Sequence, residues 1–212
     1  MKIAVVGPGR VGSSLGARFA NLGHEVVYGV RDPEGDRARE LYVAAAGNVR
    51  LASIPEAIRE AEIVLLATPF EAAVELVREA GDLGDRIVVD CTNPIGPGLT
   101  LALGHEDSGG ERIARSARGG RFVKAFHTYG YENFSDSTYP GYGDLKPLMF
   151  LCGTEENARK AVSGLATDLG FRPVDLGEME AARLLEPLAM IWIRIARVQG
   201  KGANFTWAML ER

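Results

Sequence analysis

Residues 2–16 read KIAVVGPGRVGSSLG, and the placement of the glycines in this stretch decides the fold. Lys2 to Val6 is a short β-branched run, and Val11, Leu15, Phe19 and Leu22 follow it at helical spacing. The stretch reads as a strand, a tight turn and an amphipathic helix, with Gly23 as the helix stop. Gly7, Gly9 and Gly12 form G-x-G-x-x-G at the junction. In that pattern the first glycine makes the turn, the second admits a pyrophosphate close to the backbone, and the third lets the helix pack tightly on the strand. The helix start also directs unpaired N–H groups and the positive end of its dipole at the phosphates. Gly7, Pro8, Gly9, Arg10, Val11 and Gly12 are therefore the expected dinucleotide-binding residues.

The alternation continues outward. HEVVYGV (24–30) is a second strand, and DPEGDRARELYVAAAG (32–47) a helix, with Asp32 as N-cap and Pro33 at the first helical position. EIVLLAT (62–68) and RIVVDC (86–91) are continuous apolar runs of the kind found in buried parallel strands, with the helix FEAAVELVREAG (70–81) between them. The Gly/Pro-rich TNPIGPG (92–98) leads to a helix around 110–117 and a strand RFVKAF (121–126). His127 to Lys146 is a long loop rich in Tyr, Gly, Ser and Asp, a length more common in functional loops than in idle ones. PLMFLCG (147–153), a helix capped by Thr154 and RPVDLG (172–177) follow, and 178–212 reads as helical with a break near Gly200 and Gly202. The expected fold is α/β, a doubly wound, mainly parallel Rossmann sheet with a C-terminal helical segment. Residues 1–177 form the nucleotide-binding unit with additional C-terminal strands, and 178–212 a tail that caps it or forms an interface.

Composition narrows the partners. A chain of 212 residues, 46% hydrophobic, buries a full core and is too large for a small binding module. A net charge of -4 argues against a broad basic face for nucleic acid. Cys91 and Cys152 lie in or beside apolar runs, the setting of buried free thiols in a reducing compartment. The nearly apolar run Leu184 to Ile193 is broken by Glu186 and Pro187 and is too short to span a bilayer. Met1 to Val6 enters a strand directly, unlike a signal peptide, so a cytoplasmic protein without membrane contact is expected. His24, His105 and His127 show neither metal-ligand nor Ser-His-Asp spacing, and no metal site is expected.

The end of the second strand selects the dinucleotide. NAD sites usually carry an acid there for the ribose hydroxyls, whereas an arginine accommodates the extra phosphate of NADP. Here the strand ends in Tyr28, Gly29 and Val30, and Arg31 follows, so NADP is favoured. Asp32 is the counterweight, its carboxylate assigned instead to capping the next helix.

With VVGPGRVG, LGHEVVYGVRD, IVLLATPF, VVDCTNPIG, FVKAFHTYG and the closing ARLLEPLAMIWI in view, the chain resembles the coenzyme F420-dependent NADP oxidoreductases and their bacterial relatives over nearly its whole length. The resemblance implies NADP on the N-terminal Rossmann domain and a second electron carrier stacked on the nicotinamide. It implies that Gly9 to Gly12 hold the pyrophosphate and Arg31 the 2'-phosphate, with Ala67, Thr68 and Pro69 beside the nicotinamide ribose. Asn93 and Pro94, with His127, Thr128 and Tyr129, would frame the pocket for the hydride partner, coenzyme F420 or a similar flavin-like carrier. Tyr129 and Gly130 depart from the small apolar residue and proline more usual after the family's His-Thr pair.

Hydride transfer between two flat rings needs proximity and orientation and no obligatory acid–base triad. His127 is the candidate catalytic residue, either donating to a carrier carbonyl or packed under Tyr129 or Tyr131 as a structural loop histidine. Tyr129, Tyr131, Phe134, Tyr139 and Tyr142 form either a movable aromatic lid or a cluster that packs the loop down. Lys124 sits where it can be mistaken for the lysine of a hydroxyacid dehydrogenase, but the tail leaves no room for that family's all-helical second domain. The apolar face of the tail, with Leu184, Leu185, Leu188, Ile191, Trp192 and Ile195, suits a homodimer interface, a cap over the pocket or plain core packing. Two other functions stay open: an NADPH-dependent reductase of a small carbonyl, imine or metal chelate, and a non-catalytic NADP-binding sensor.

Overall fold

Strand β1 (Lys2–Val6) and helix α1 (Arg10–Asn21) form as the glycine pattern requires, and β1 lies inside an eight-stranded sheet. β1 pairs with β2 (Glu25–Val30) on one side and with β4 (Ile63–Leu66) on the other, both parallel. β5 (Ile87–Asp90) and β8 (Arg121–Lys124) extend the sheet in the same sense, and β3 (Val49–Ser53) closes the far edge beside β2. β9 (Leu148–Gly153) then joins β8 antiparallel, and β10 (Arg172–Asp175) runs parallel to β9. The order is β10-β9-β8-β5-β4-β1-β2-β3. The structure, a computed structural model, describes residues 1–45 and 49–212.

Alternate residues of each strand face opposite layers. Ile3 and Val5 pack with Leu15 and Phe19 of α1 and with Val162 and Leu165 of α7 (Glu156–Asp168). Ala4 and Val6 pack on the other face with Ala57 of α3 (Ile54–Glu60), Phe70 and Val74 of α4 (Phe70–Glu79), Ile113 of α5 (Gly109–Ser116) and Leu185 of α8 (Ala182–Ile193). Each large aliphatic side chain so buried stabilises the fold by about 1.5–3 kcal/mol. The period-two alternation thus generates two cores from one sheet.

Several sequence expectations are corrected. The helix after β2, α2 (Asp36–Ala44), begins at Asp36 and not at Pro33. Asp32 accepts the Glu34 N–H at Oδ1 (3.2 Å), an Asx turn that uses its oxygen ahead of the helix, and Gly35 takes the cap position. Thr154 does not cap α7; its Oγ1 accepts the Phe122 N–H at 3.0 Å and fastens β9 to β8. Residues 46–48, the end of the expected 32–47 helix, lie outside the described residues.

β3 and α3 had no counterpart in the sequence reading. The tail is helical only to Val198, where a π-turn (Arg194–Val198) ends α8. Beyond it the chain has no regular secondary structure and lies on the fold: Leu148 donates its N–H to the Trp207 carbonyl oxygen (2.9 Å), and the Trp192 indole donates to that of Phe205 (3.0 Å). No helix among the described residues is long and apolar enough to cross a membrane.

Candidate active site

The parallel strands β1, β2, β4, β5 and β8 present their carboxyl ends on one edge, where open α/β sheets receive ligands. At the end of β1 the glycine assignments are testable atom by atom. Gly7 has φ +86°, and a Cβ there would lie 2.5 Å from Thr68 Cγ2, so the turn and the close approach to β4 both require glycine. A Cβ on Gly12 would fall 2.5 Å from the Gly7 carbonyl oxygen, which is the close packing expected of the third glycine. A Cβ on Gly9 would meet nothing within 4 Å. The backbone at Gly9 therefore faces open space directly ahead of α1, a cradle of the shape and polarity that suits a pyrophosphate.

Arg10 begins α1 and is exposed, its guanidinium 5.7 Å from the centre of the Tyr131 ring. Arg31 follows β2 on the same edge, exposed and without an ion-pair partner among the described residues. Both are cations available to phosphate groups.

Next to this cradle, buried polar atoms without hydrogen-bond partners gather after β4, β5 and β8. They include Thr68 Oγ1, Thr92 Oγ1, Asn93 Oδ1 and both ring nitrogens of His127, whereas the Thr128 hydroxyl lies beside the Tyr129 phenol. Buried polar groups are normally satisfied, so these atoms are candidates for bonds to a ligand or to water. Asn93 Nδ2 donates to the His127 carbonyl oxygen at 2.9 Å and joins the two loops. His127 is turned inward, near the carbonyls of Ala125 and Leu185 but without a well-formed hydrogen bond to either. Burial, and then the Lys124 charge, hold its imidazole well below the usual histidine range.

Phe126, immediately before it, has φ +56°, a left-handed backbone that a bulky residue rarely adopts. Its ring is wedged edge-on between Phe19 and Phe134, at 6.2 and 6.1 Å, which holds the strained turn in place.

The remaining expected residues separate. Pro69 leads into α4 as its N-cap, and Pro94 Cδ lies where a Cβ on Gly109 would approach within 3.1 Å. Tyr129 is at the predicted place in the chain, but its ring stacks on Phe171 at 5.9 Å and its hydroxyl donates to the Leu148 carbonyl oxygen. The aromatic lid is likewise not formed: Tyr129 and Phe134 are core residues, Tyr131 rests under Arg10, and of the named rings only Tyr142 is exposed. A short helix, α6 (Glu132–Ser135), packs that loop on α1, with Ser14 Oγ donating to the Tyr131 carbonyl oxygen at 3.0 Å. No group of histidines, cysteines and acids among the described residues is arranged to hold a metal.

A Rossmann sheet with this glycine turn, and buried polar side chains beside it, is the arrangement of a dinucleotide-dependent oxidoreductase. Residues 2–94 match the family described as "NADP oxidoreductase coenzyme F420-dependent". The F420-dependent NADP reductase of Methanothermobacter thermautotrophicus is 30% identical across 97% of this chain and 95% of its own length. The chain belongs to that family of NADP-dependent oxidoreductases.

A solved structure from Arthrobacter sp. FB24, itself only provisionally described as an F420-dependent NADP reductase, is 31% identical with a TM-score of 0.84, covering 100% of both chains. The rat metalloreductase STEAP3 is 28% identical over 89% of this chain, which spans only 36% of that protein. A reductive aminase of Aspergillus terreus shares the fold at 20% identity and TM-score 0.68, over 94% of this chain and 62% of its own.

Proposed function

We propose that this chain passes a hydride between NADP(H) seated on the Gly7–Gly12 cradle and a flat deazaflavin or flavin-type ring, coenzyme F420 or a similar carrier, seated against Asn93, Pro94, His127 and Thr128. The observation that carries the reading is the set of buried, unpartnered polar atoms beside the cradle. When bound, NADPH supplies the hydride. The residues of this chain then have three tasks. Gly9 and the start of α1 fix the pyrophosphate, while Arg31 takes the 2'-phosphate. Thr68 and Pro69 bound the ribose side. His127, kept neutral, offers one N–H to a carbonyl of the acceptor, and the surrounding apolar burial excludes water.

A cytoplasmic location accords with the two buried thiols, and a homodimer would cover the apolar stripe Leu184, Ile191 and Val198 exposed on α8 and the turn after it. The test is NADPH oxidation followed with F420, then with riboflavin-type acceptors, then with imines and ferric chelates. Turnover with the deazaflavin or flavin supports the reading. Turnover confined to imines or chelates transfers the pocket to that chemistry, for which the metalloreductase relative is the reason to include the chelate. Tight NADPH binding without any turnover makes the protein a sensor.

A further inference from the structure

Lys124 closes β8 beside Asp90 at the end of β5, its partner in register, and α8 brings Glu186 to the same point. Their side chains are 0%, 1% and 1% exposed, so three formal charges are removed from water together. The Lys124 ammonium contacts Asp90 Oδ2 at 2.8 Å, Glu186 Oε1 at 2.9 Å and the Thr92 carbonyl oxygen at 2.7 Å. An ammonium has three N–H donors, and all three are used. Lys124 therefore has no proton to offer a substrate.

The carboxylates are filled as well. Asp90 Oδ1 accepts the Thr92 N–H at 2.8 Å, and Glu186 accepts the N–H groups of Gly109 and Gly110 at 2.9 and 3.0 Å. Two carboxylates against one ammonium leave a surplus negative charge, which faces the N-terminal turn of α5 and its dipole. Burial pushes the ammonium toward its neutral form, but Asp90 and Glu186 outweigh that and hold it charged.

Buried ion sets add little net stability over well-packed apolar residues; what they impose is one arrangement. Here the arrangement leads to the pocket. The ammonium grips the Thr92 carbonyl, the next residue is Asn93, and Asn93 holds the His127 carbonyl. The charged groups around the His127 segment are Lys124 from β8, Asp90 from β5 and Glu186 from α8, with the buried Cys91 thiol kept protonated beside them.

We propose that Lys124 is a positioning residue for the acceptor pocket: through Thr92 and Asn93 it sets where the loop after β5 meets His127, and through Glu186 it ties α5 and α8 to the same geometry. The proposal rests on the assignment of that pocket to the hydride acceptor.

The test compares Lys124→Met, Lys124→Arg and the double variant Lys124→Met with Glu186→Gln, which keeps the net charge of the cluster at its original value. Histidine side-chain NMR on the protein alone reads the position and titration of His127 without any acceptor. Stopped-flow NADPH oxidation reads turnover. In the double variant the His127 resonances should move and its titration should shift upward, because the repelling ammonium is gone while the burial that lowers it most remains. Turnover should fall about tenfold with KM for NADPH within about twofold, and Lys124→Arg should restore part of it.

A folded double variant with wild-type His127 resonances, titration and turnover overturns the proposal. Failure of the double variant to fold also overturns it, because Lys124 would then act on the whole fold and not on the pocket. A chain that reduces no flavin-type acceptor would sink the functional reading alone, since the NMR comparison does not depend on one.

Discussion

The Asn93 side-chain amide donates to the His127 carbonyl oxygen over 2.9 Å, while Asn93 Oδ1 and both His127 ring nitrogens lack partners. One bond fastens the two loops, and on the proposed reading the unused atoms are those that meet the hydride acceptor. His127→Gln, which keeps a donor and an acceptor but alters their placement, should lower turnover about tenfold, the worth of one misplaced hydrogen bond, with NADPH affinity within about twofold. Steady-state kinetics beside a fluorescence titration checks this. Unchanged turnover would make the histidine structural.

The same imidazole sets a pH dependence of stability. It is held neutral in the folded chain, below its ordinary value of 6.5, whereas the unfolded chain protonates near that value. Below about pH 6.5 the unfolded state therefore binds more protons, and stability present above that pH is lost as the pH falls toward the depressed folded value. Melting curves between about pH 7 and about pH 5 should show a smaller loss in His127→Gln than in wild type. Parallel losses in the two proteins would refute it.

Gly9 and Gly7 should respond oppositely to alanine. Gly9→Ala points a methyl into open space, so the melting temperature should hold while NADPH binding weakens about tenfold or more by steric conflict with the pyrophosphate. Gly7→Ala places a Cβ 2.5 Å from Thr68 Cγ2 at a positive φ, and should cost about 1–3 kcal/mol in stability. Equal melting temperatures for the two variants would contradict the cradle geometry.

Arg31→Ala should weaken NADPH about tenfold or more while leaving NADH nearly unchanged, because only NADPH carries the phosphate. Paired titrations with the two nucleotides decide it; equal losses would mean that Arg31 does not read that phosphate.

Tyr129→Phe keeps the stack on Phe171 but removes the donor to the Leu148 carbonyl, so it should cost about 1–3 kcal/mol in a chemical melt and leave turnover intact. A large fall in turnover would place the phenol in the pocket after all.

The central sheet was legible because Ile63–Leu66 and Ile87–Asp90 are buried on both faces and so appear as unbroken apolar or near-apolar runs. β3 was not, since Val49–Ser53 is an edge strand whose buried and exposed positions alternate irregularly. Asp32-Pro33 carries the signature of a helix start, but an Asx turn competes for the same oxygen, and Gly35 let the turn win. Thr154 was claimed by the neighbouring strand.

Nothing local to Tyr129 reveals Phe171 as its neighbour, so lid and core were indistinguishable from sequence. The turn at Gly7 and the close packing at Gly12 were readable because each is a local backbone demand. Lys124, Asp90 and Glu186 become a unit only once β5, β8 and α8 meet, and no spacing announces that.

The reversal of direction at β9 divides the chain for protein engineering. Because β9 runs antiparallel to β8 and β10 follows β9, Gly153 and Asp175 end on the edge away from the cradle. The far ends of β9 and β10 are the part of this segment open to redesign for thermal tolerance, whereas Leu148 and Phe171 at the near end hold Tyr129. On the proposed assignment, a library meant to change the acceptor belongs around Asn93 and His127, where the loops after β5 and β8 meet.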